Sequence, residues 1–238
     1  DGDDFWAEPE GLARLIPQLT SDVVVFGFSK WYEPNGAERG RWIGPDIAEG
    51  CPVSGREAQL GYLLQKGCYT ACAWNKAVRR ELFSSCDLRF REGVTSEDID
   101  WCARLALAAK SFGLSACRFY RYRQRTGSIT RTMNLKSLRD LKENIELCLQ
   151  LPQEMGASTA IKELYWSYVA YQFGTFLVCA PSVNGPEGRG LVQEMREKRW
   201  LLRYNAASRK VQLLYVVDRL LGYRALCLLC RGYAAIRK

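Results

Sequence analysis

The fold class depends on residues 23–28, Val-Val-Val-Phe-Gly-Phe. β-Branched and aromatic residues in an uncharged run favour a buried strand. The apolar spacing predicts a short helix before it, over residues 9–19, and another behind it, over residues 56–66. Residues 117–123 alternate like a further strand. Strands and helices with short connections predict an α/β fold, in which helices cover a sheet.

The sequence also predicts the secondary structure of the segments between these elements. We expect residues 69–74 to be extended and residues 76–83 to be helical. Ser96 is a good N-cap residue for a helix over residues 97–111, and Gly113 is a suitable stop.

Beyond residue 132 the apolar spacing is helical. Leucines at 135, 138 and 141 recur at intervals of three, and Pro152 lies just past the predicted end of that helix. Residues 164–185 are uncharged but interrupted by polar residues, so we expect a buried or interface-lying helix rather than a membrane span. Residues 127–130 mark the predicted domain edge, which separates residues 1–131 from a helical extension over residues 132–238.

The charge of the chain is concentrated near its C-terminal end. Residues 187–238 hold 12 of the 34 Lys and Arg residues and 4 of the 26 Asp and Glu residues, which leaves 22 of each sign elsewhere. From residue 209 onward, leucines and valines alternate with arginines, as is typical of a helix on an anionic membrane surface. A solvated basic helix packed on the domain is the alternative. We expect no nucleic-acid partner, since the larger part is neutral and no known binding motif is present.

Histidine is absent from the sequence. Its absence removes the Ser-His-Asp triad and most zinc and non-haem iron sites, so acid–base chemistry must fall to carboxylates. The ten cysteines lie mostly in apolar stretches, which favours buried, reduced thiols in a cytosolic protein. Cys227 and Cys230 could bind metal or change redox state, but one such pair in an apolar helical run is weak evidence.

Two groups of carboxylates are candidates for chemistry. Asp1, Asp3 and Asp4 stand within four residues, and hard divalent cations prefer such oxygen ligands. A solvated acidic terminus is the alternative. Glu97 and Asp98 begin a predicted helix, where free backbone N–H groups stabilise a carboxylate that can act as a base. Plain helix capping is the alternative there.

Two further groups could bind a substrate. Trp74, Asn75 and Lys76 offer an aromatic face, an amide and an amine, which suit a sugar ring and its hydroxyls. Ordinary half-burial at a strand end is the alternative. Around residues 121–130, cations and hydroxyl donors could hold a phosphate, and the alternative is an exposed edge strand. The candidates in this second group are Arg123, Arg125 and Ser128.

Taken in order, these motifs resemble family 2 glycosyltransferases of the GT-A type. The resemblance rests on Asp-Gly-Asp-Asp at 1–4, Val-Val-Val-Phe at 23–26, Trp-Asn-Lys at 74–76, Arg-Arg-Glu-Leu-Phe at 79–83, Arg-Phe-Arg-Glu-Gly at 89–93 before Glu97-Asp98, and Tyr-Arg-Tyr-Arg-Gln-Arg-Thr-Gly-Ser-Ile-Thr at 120–130. Each motif is weak alone, and the ordered set is strong. It covers residues 1–131, the carboxy-terminal half of a GT-A domain, and residues 132–238 match only as a variable helical extension.

The resemblance implies an activity. It predicts an inverting transferase that moves a sugar from a nucleotide-diphosphate sugar to a hydroxyl of a glycan or lipid-linked acceptor, in bacterial surface polysaccharide assembly. Asp1 and Asp3 would form the DxD pair, with Asp3 and Asp4 at a Mn²⁺ or Mg²⁺ ion on the donor diphosphate. Asp98 would be the catalytic base, and Glu97 would position the acceptor.

The resemblance also bears on completeness and location. Members of the family have a nucleotide-binding region ahead of the DxD motif, so we expect the 238-residue chain alone to be inactive or very weak. We expect a cytoplasmic protein, with peripheral attachment to the inner face of the cell membrane through the basic tail. A non-catalytic membrane-surface scaffold is the alternative function.

Overall fold

The computed structural model describes residues 2–32, 50–124, 133–205 and 208–236, together with the backbone of residues 37–39. Three predicted site residues lie outside the described residues, namely Asp1, Arg125 and Ser128. The predicted domain edge at residues 127–130 also lies outside them.

The described chain contains strands and helices in the mixture that the sequence predicts. The strands are β1 (Phe5–Trp6), β2 (Val23–Tyr32), β3 (Ala37–Arg39), β4 (Lys76–Val78) and β5 (Phe112–Gln124). The helices are α1 (Gly11–Leu15), α2 (Arg56–Gln65), α3 (Glu81–Ser85), α4 (Asp98–Ala108), α5 (Leu135–Glu154), α6 (Thr159–Cys179), α7 (Pro186–Glu194) and α8 (Arg209–Ile236). The α/β prediction, with helices following the sheet, is confirmed.

The sheet is mixed and is built around β2 and β5. These two strands run parallel, with Val23 opposite Phe112 and a register shift between Phe26 and Phe28. β3 and β4 pair antiparallel with β2, and β1 pairs antiparallel with β5. The sheet order is β1-β5-β2-β3, with β4 also on β2. Since Asp3 and Asp4 lead directly into β1, the sheet fixes where these two residues lie.

The alternation of β2 supplies two apolar clusters. Val23 and Val25 belong to the main core, while Val24 and Phe26 belong to a smaller cluster with Phe119 of β5. The main core continues through α2, α4, α5, α6 and α8. The apolar core therefore runs across position 131 without a break among the described residues.

The segment from 69 to 83 differs from its prediction. Residues 73–75 form a 3₁₀ turn, Lys76–Val78 form a strand, and helix begins only at Glu81. Both predictions, extended over 69–74 and helical over 76–83, are wrong in detail because tertiary contacts override local propensity. Lys76 closes the loop by donating hydrogen bonds to the carbonyls of Thr70 and Cys72.

α4 lies within the predicted range of 97–111, but the predicted N-cap and stop residues are wrong. Ser96 has a φ of +60° and makes no capping hydrogen bond, and Glu97 directly precedes the first helical residue. Gly113 lies inside β5 rather than at a helix end.

Pro152 lies inside α5, not beyond it. A proline cannot donate to the carbonyl four residues earlier. That carbonyl, of Cys148, instead accepts a hydrogen bond of 2.9 Å from the Tyr165 hydroxyl of α6. A tertiary contact thus satisfies the group that the proline leaves unpaired.

The two helices at issue for membrane contact are α6 and α8. Eleven of the 21 residues of α6 are buried, which confirms the buried interpretation of the uncharged segment as far as Cys179. α8 is kinked at Gly222, whose φ of 80° is not helical. Within the described residues, no helix combines the length and apolarity that a bilayer crossing requires.

All ten cysteines fall within the described residues, and none of them forms a disulfide bond.

Candidate functional site

The acidic start of the chain is held against β5. Asp4 accepts hydrogen bonds from the Tyr120 hydroxyl, at 2.6 Å, and from the backbone N–H of Arg123, at 2.9 Å. Burial, together with the hydrogen bond to Asp4, raises the pKa of Tyr120 above its usual value. A neutral tyrosine hydroxyl is a hydrogen-bond donor, so Tyr120 serves as the donor to Asp4.

An aromatic cluster flanks Asp4. The ring of Trp74 lies 4.8 Å from Tyr120 and 5.1 Å from Tyr122, stacked on both, and meets Phe28 edge-on at 4.6 Å. Asp4, Trp74 and Tyr120 line one open cleft of about 400 Å³. Apolar residues of α1, β2 and β5 form much of its remaining wall, so the cleft presents a carboxylate beside aromatic faces.

The side chains of Lys76 and Asn75 are held within the loop that carries Trp74. The ammonium of Lys76 donates to the carbonyls of Thr70 and Cys72 and to Oδ1 of Asn75, at 2.6–2.9 Å. An ammonium has three donors, so all are used. Asn75 is fully buried, and its Nδ2 has no hydrogen-bond partner among the described residues. In this conformation both side chains fix the position of Trp74 instead of presenting donors to a ligand.

Asp98 contacts the same loop. Its Oδ2 accepts a hydrogen bond of 3.3 Å from the backbone N–H of Ala73. Burial raises the pKa of Asp98 above its usual value, and the neighbouring charge of Glu97 adds to the rise while the Ala73 bond opposes it. A half-buried carboxylate with a raised pKa is a stronger base than an exposed one.

Asp4 and Asp98 are both connected to the segment that carries Trp74. Trp74 stacks on Tyr120, whose hydroxyl donates to Asp4. The residue before Trp74, Ala73, donates its backbone N–H to Asp98.

The segment before Asp98 is fixed by α5. Oδ2 of Asp140 accepts from both the backbone N–H and the hydroxyl of Thr95, at 2.8 and 2.9 Å. The side-chain amide of Asn144, which is fully buried, donates to the carbonyls of Thr95 and Ser96. These bonds hold Ser96 in a left-handed conformation that is unfavourable for a residue with a side chain.

The remaining predicted site residues either lie near Asp4 and Asp98 or fall outside the described residues. Asp3 and Glu97 are half-buried next to Asp4 and Asp98. Arg123 contributes its backbone to Asp4, while its guanidinium lies over the rings of Phe5 and Trp31, at 5.6 and 5.7 Å. The structure thus connects Asp4 and Asp98 to the segment of Trp74, and Asp3 and Glu97 are their neighbours in the chain. Asp1, Arg125 and Ser128 lie outside the described residues.

Sequence reasoning missed the residues that position the site. Tyr120 stood inside a quoted motif, but nothing in its spacing marks it as the partner of Asp4. Asp140 and Asn144 are four apart on a predicted helix, where polar residues usually face solvent. Their one signal is that they stand beside Leu141 and Ile145, on the edge of the apolar face.

The acidic start suits a hard cation only in part. Each Asp4 oxygen accepts one hydrogen bond and keeps a further lone pair, so it can still serve as a ligand. Among the described residues, no three acidic or cysteine side chains cluster as a metal-binding group. The residues present fit a Mn²⁺ or Mg²⁺ ion that takes its other ligands from a diphosphate and water.

No protein-family model matches this chain, and no curated protein sequence matches it either.

Proposed function

We propose that this protein is an inverting glycosyltransferase of the GT-A type, similar to family 2, in which residues 1–131 correspond to the carboxy-terminal half of the GT-A domain and residues 132–238 to a helical extension. It would transfer a sugar from a nucleotide-diphosphate sugar to a hydroxyl of a glycan or lipid-linked acceptor. The bacterial surface polysaccharide pathway is the expected setting, and the proposed location is the cytoplasmic side of the membrane.

One observation carries this proposal. Two acidic motifs more than 90 residues apart in the sequence, at Asp4 and at Asp98, are both connected to the segment that presents Trp74. Asp4 accepts from Tyr120, on which Trp74 stacks, and Asp98 accepts from the backbone N–H of Ala73. A sugar-transfer site needs a ligand for the donor diphosphate, a base for the acceptor hydroxyl and an apolar face for a sugar ring. These three requirements correspond to Asp3 with Asp4, to Asp98, and to Trp74.

Asp98 would act as the base. Its raised pKa favours taking a proton from the acceptor hydroxyl as that oxygen attacks the anomeric carbon, and Glu97 beside it would orient the acceptor. Asp98 must be ionised to do so, and its ionised fraction increases as the pH passes upward through its pKa. We therefore expect the acidic limb of the rate–pH profile to lie above the usual carboxyl range of about 4.

Asp3 and Asp4 would hold the Mn²⁺ or Mg²⁺ ion. When bound, the ion would neutralise charge on the leaving diphosphate. The hydrogen bonds from Tyr120 and from the Arg123 backbone keep Asp4 oriented toward the cleft, whether or not the ion is present.

The proposal is tested on the encoded protein, including any residues upstream of Asp1, and on the 238-residue chain alone. Binding of UDP, GDP and dTDP is measured by calorimetry with and without Mn²⁺. Transfer is measured with the corresponding radiolabelled nucleotide hexoses and a membrane lipid extract as acceptor. Nucleotide binding that does not respond to Mn²⁺ would contradict the proposal.

Variants separate the two acidic motifs. Asp98→Asn should lower transfer by at least about 100-fold, the usual range for a general base, and leave Mn²⁺-dependent nucleotide binding unchanged. Asp4→Ala should reduce both. Asp87→Asn is the matched control, since Asp87 is highly exposed and its φ of 44° suits asparagine. Full transfer by Asp98→Asn would rule out Asp98 as the base.

A non-catalytic membrane scaffold remains the second candidate function. The observation that favours it is the row of exposed apolar side chains on α8. It predicts lipid binding without Mn²⁺-dependent nucleotide binding, so the same calorimetry distinguishes the two functions.

A further inference from the structure

Exposed apolar side chains are concentrated on α8. Of the sixteen large hydrophobic residues that are exposed in the described part of the chain, eight belong to this helix: Leu213, Val216, Leu220, Leu221, Leu228, Leu229, Tyr233 and Ile236. Leu220, Leu228 and Ile236 are 75%, 64% and 86% exposed. Scattered exposed leucines are normal, but a concentration of this kind on one element indicates an interaction surface.

The exposed residues lie on the side of α8 that does not face the core. Before the kink, Val211, Leu214 and Val217 are buried at three-residue intervals and pack in the main core. Leu213, Val216 and Leu220 are exposed at intervals of three and four, which places them together on another face. Intramolecular packing explains the first face only.

The same arrangement continues after the kink at Gly222. Tyr223, Leu226 and Cys230 are buried, whereas Leu228 and Leu229 are exposed. Both halves of α8 therefore present an apolar surface outward.

Arginines border this outward surface. Arg224 and Arg231 stand four residues before and three residues after Leu228, and Arg219 adjoins Leu220. None of the three forms a salt bridge within the residues that the structure describes. α8 contains five Lys and Arg residues against one acidic residue, Asp218, which is mostly buried and 3.9 Å from Arg199.

We propose that α8 lies in the headgroup layer of an anionic lipid membrane, with Leu213, Leu220 and Leu228 in the acyl boundary and its arginines on lipid phosphates. Cationic side chains beside exposed leucines match the two layers of a membrane surface. A second copy of this chain fits less well, because a two-fold contact would place two strongly basic helices, each with a single acidic residue that is mostly buried, against each other. The proposal is independent of the glycosyltransferase proposal, since it concerns a separate surface.

The test is co-sedimentation of the 238-residue protein with two kinds of vesicle. One kind is pure phosphatidylcholine, and the other is an equal mixture of phosphatidylcholine and phosphatidylglycerol. We expect clear binding to the anionic vesicles and weak binding to the neutral ones, with the anionic binding weakened by added salt.

Three double variants assign the binding to the surface. Leu220→Ser with Leu228→Ser should weaken anionic binding on the order of 100-fold, because two apolar anchors are lost. Arg219→Gln with Arg224→Gln should weaken it by about 30-fold, since each cation near such a surface contributes about fivefold. The matched control is Ile16→Ser with Leu19→Ser, which removes exposed apolar residues after α1 and should leave binding unchanged.

Circular dichroism of each variant confirms that the exposed substitutions leave the fold intact. Absence of vesicle binding by the unmodified protein would overturn the proposal. So would equal binding by the Leu220/Leu228 variant. A concentration-dependent dimer that this variant abolishes, without vesicle binding, would assign the surface to a second copy instead.

Discussion

Replacing Asp140 with alanine should detach the segment that precedes α4 from α5. Oδ2 of Asp140 accepts two hydrogen bonds from Thr95 and one, of 2.6 Å, from Lys136. Bonds to a charged group contribute about 1.5–3 kcal/mol each, but Lys136 is largely exposed and adds less than about 1 kcal/mol. Because the Thr95 bonds share one oxygen, we expect a total loss of about 3 kcal/mol in unfolding free energy.

The loss should depend on pH in a defined direction. Although burial opposes it, the hydrogen bonds from Lys136 and Thr95 lower the pKa of Asp140 below its usual value. A carboxylate with a lowered folded-state pKa stabilises the fold above its unfolded pKa of about 3.9, and loses that effect as the pH falls through the folded-state pKa. The difference between the unmodified protein and Asp140→Ala should therefore be full at neutral pH and shrink below about pH 4.

Urea denaturation at neutral pH and near pH 3 measures both effects. Glu143→Gln is the control on the same helix, since Glu143 is exposed and its ion pair with Arg91 should contribute less than about 1 kcal/mol. A loss for Asp140→Ala of less than about 0.5 kcal/mol, or one that is equal at both pH values, would refute the reasoning.

Two further predictions concern packing and thiol reactivity. Gly11→Ala should lower the free energy of unfolding, measured by urea denaturation, by about 1–3 kcal/mol, because the added Cβ would lie 2.3 Å from Phe119. Gly190→Ala is the control, since the space around Gly190 is open, and it should leave the free energy of unfolding unchanged or raise it. Burial raises the pKa of Cys102 to about 12, so iodoacetamide should label it at pH 8 only after the protein unfolds. Peptide mass spectrometry measures the labelling. If Cys102 in the folded protein is labelled as fast as the half-buried Cys86, the prediction is wrong.

The elements with strong apolar patterns were predictable from the sequence. The run at 23–28 is a central strand, and α2, α5 and α8 lie close to where their apolar spacing places them. The predictions fail where a contact between residues distant in the sequence determines the local structure. Lys76 closes a loop through its side chain, and Pro152 is tolerated inside a helix because Tyr165 satisfies the carbonyl of Cys148. Local spacing contains no information about such partners.

The sequence suggests candidate residues for a site, but it does not show the contacts that hold them in place. The sequence pointed to Asp4 and Asp98, yet it assigned Lys76 to substrate, whereas its ammonium is fully used within the protein. It also gave Ser96 the role of a helix cap, whereas Ser96 is held at positive φ. Both differences arise because a side chain's hydrogen-bond partners depend on the tertiary fold.

The division of the chain at residue 131 separates groups that act together. Ser96 adopts a conformation that costs about 1 kcal/mol or more for a residue with a side chain, and it persists only where its surroundings impose it. The bonds that impose it come from Asp140 and Asn144, on the first helix of the predicted extension. Because Asp98 directly follows this segment, the position of the proposed base depends on α5. The helical part therefore belongs to the proposed site as a support, in addition to carrying the outward surface of α8.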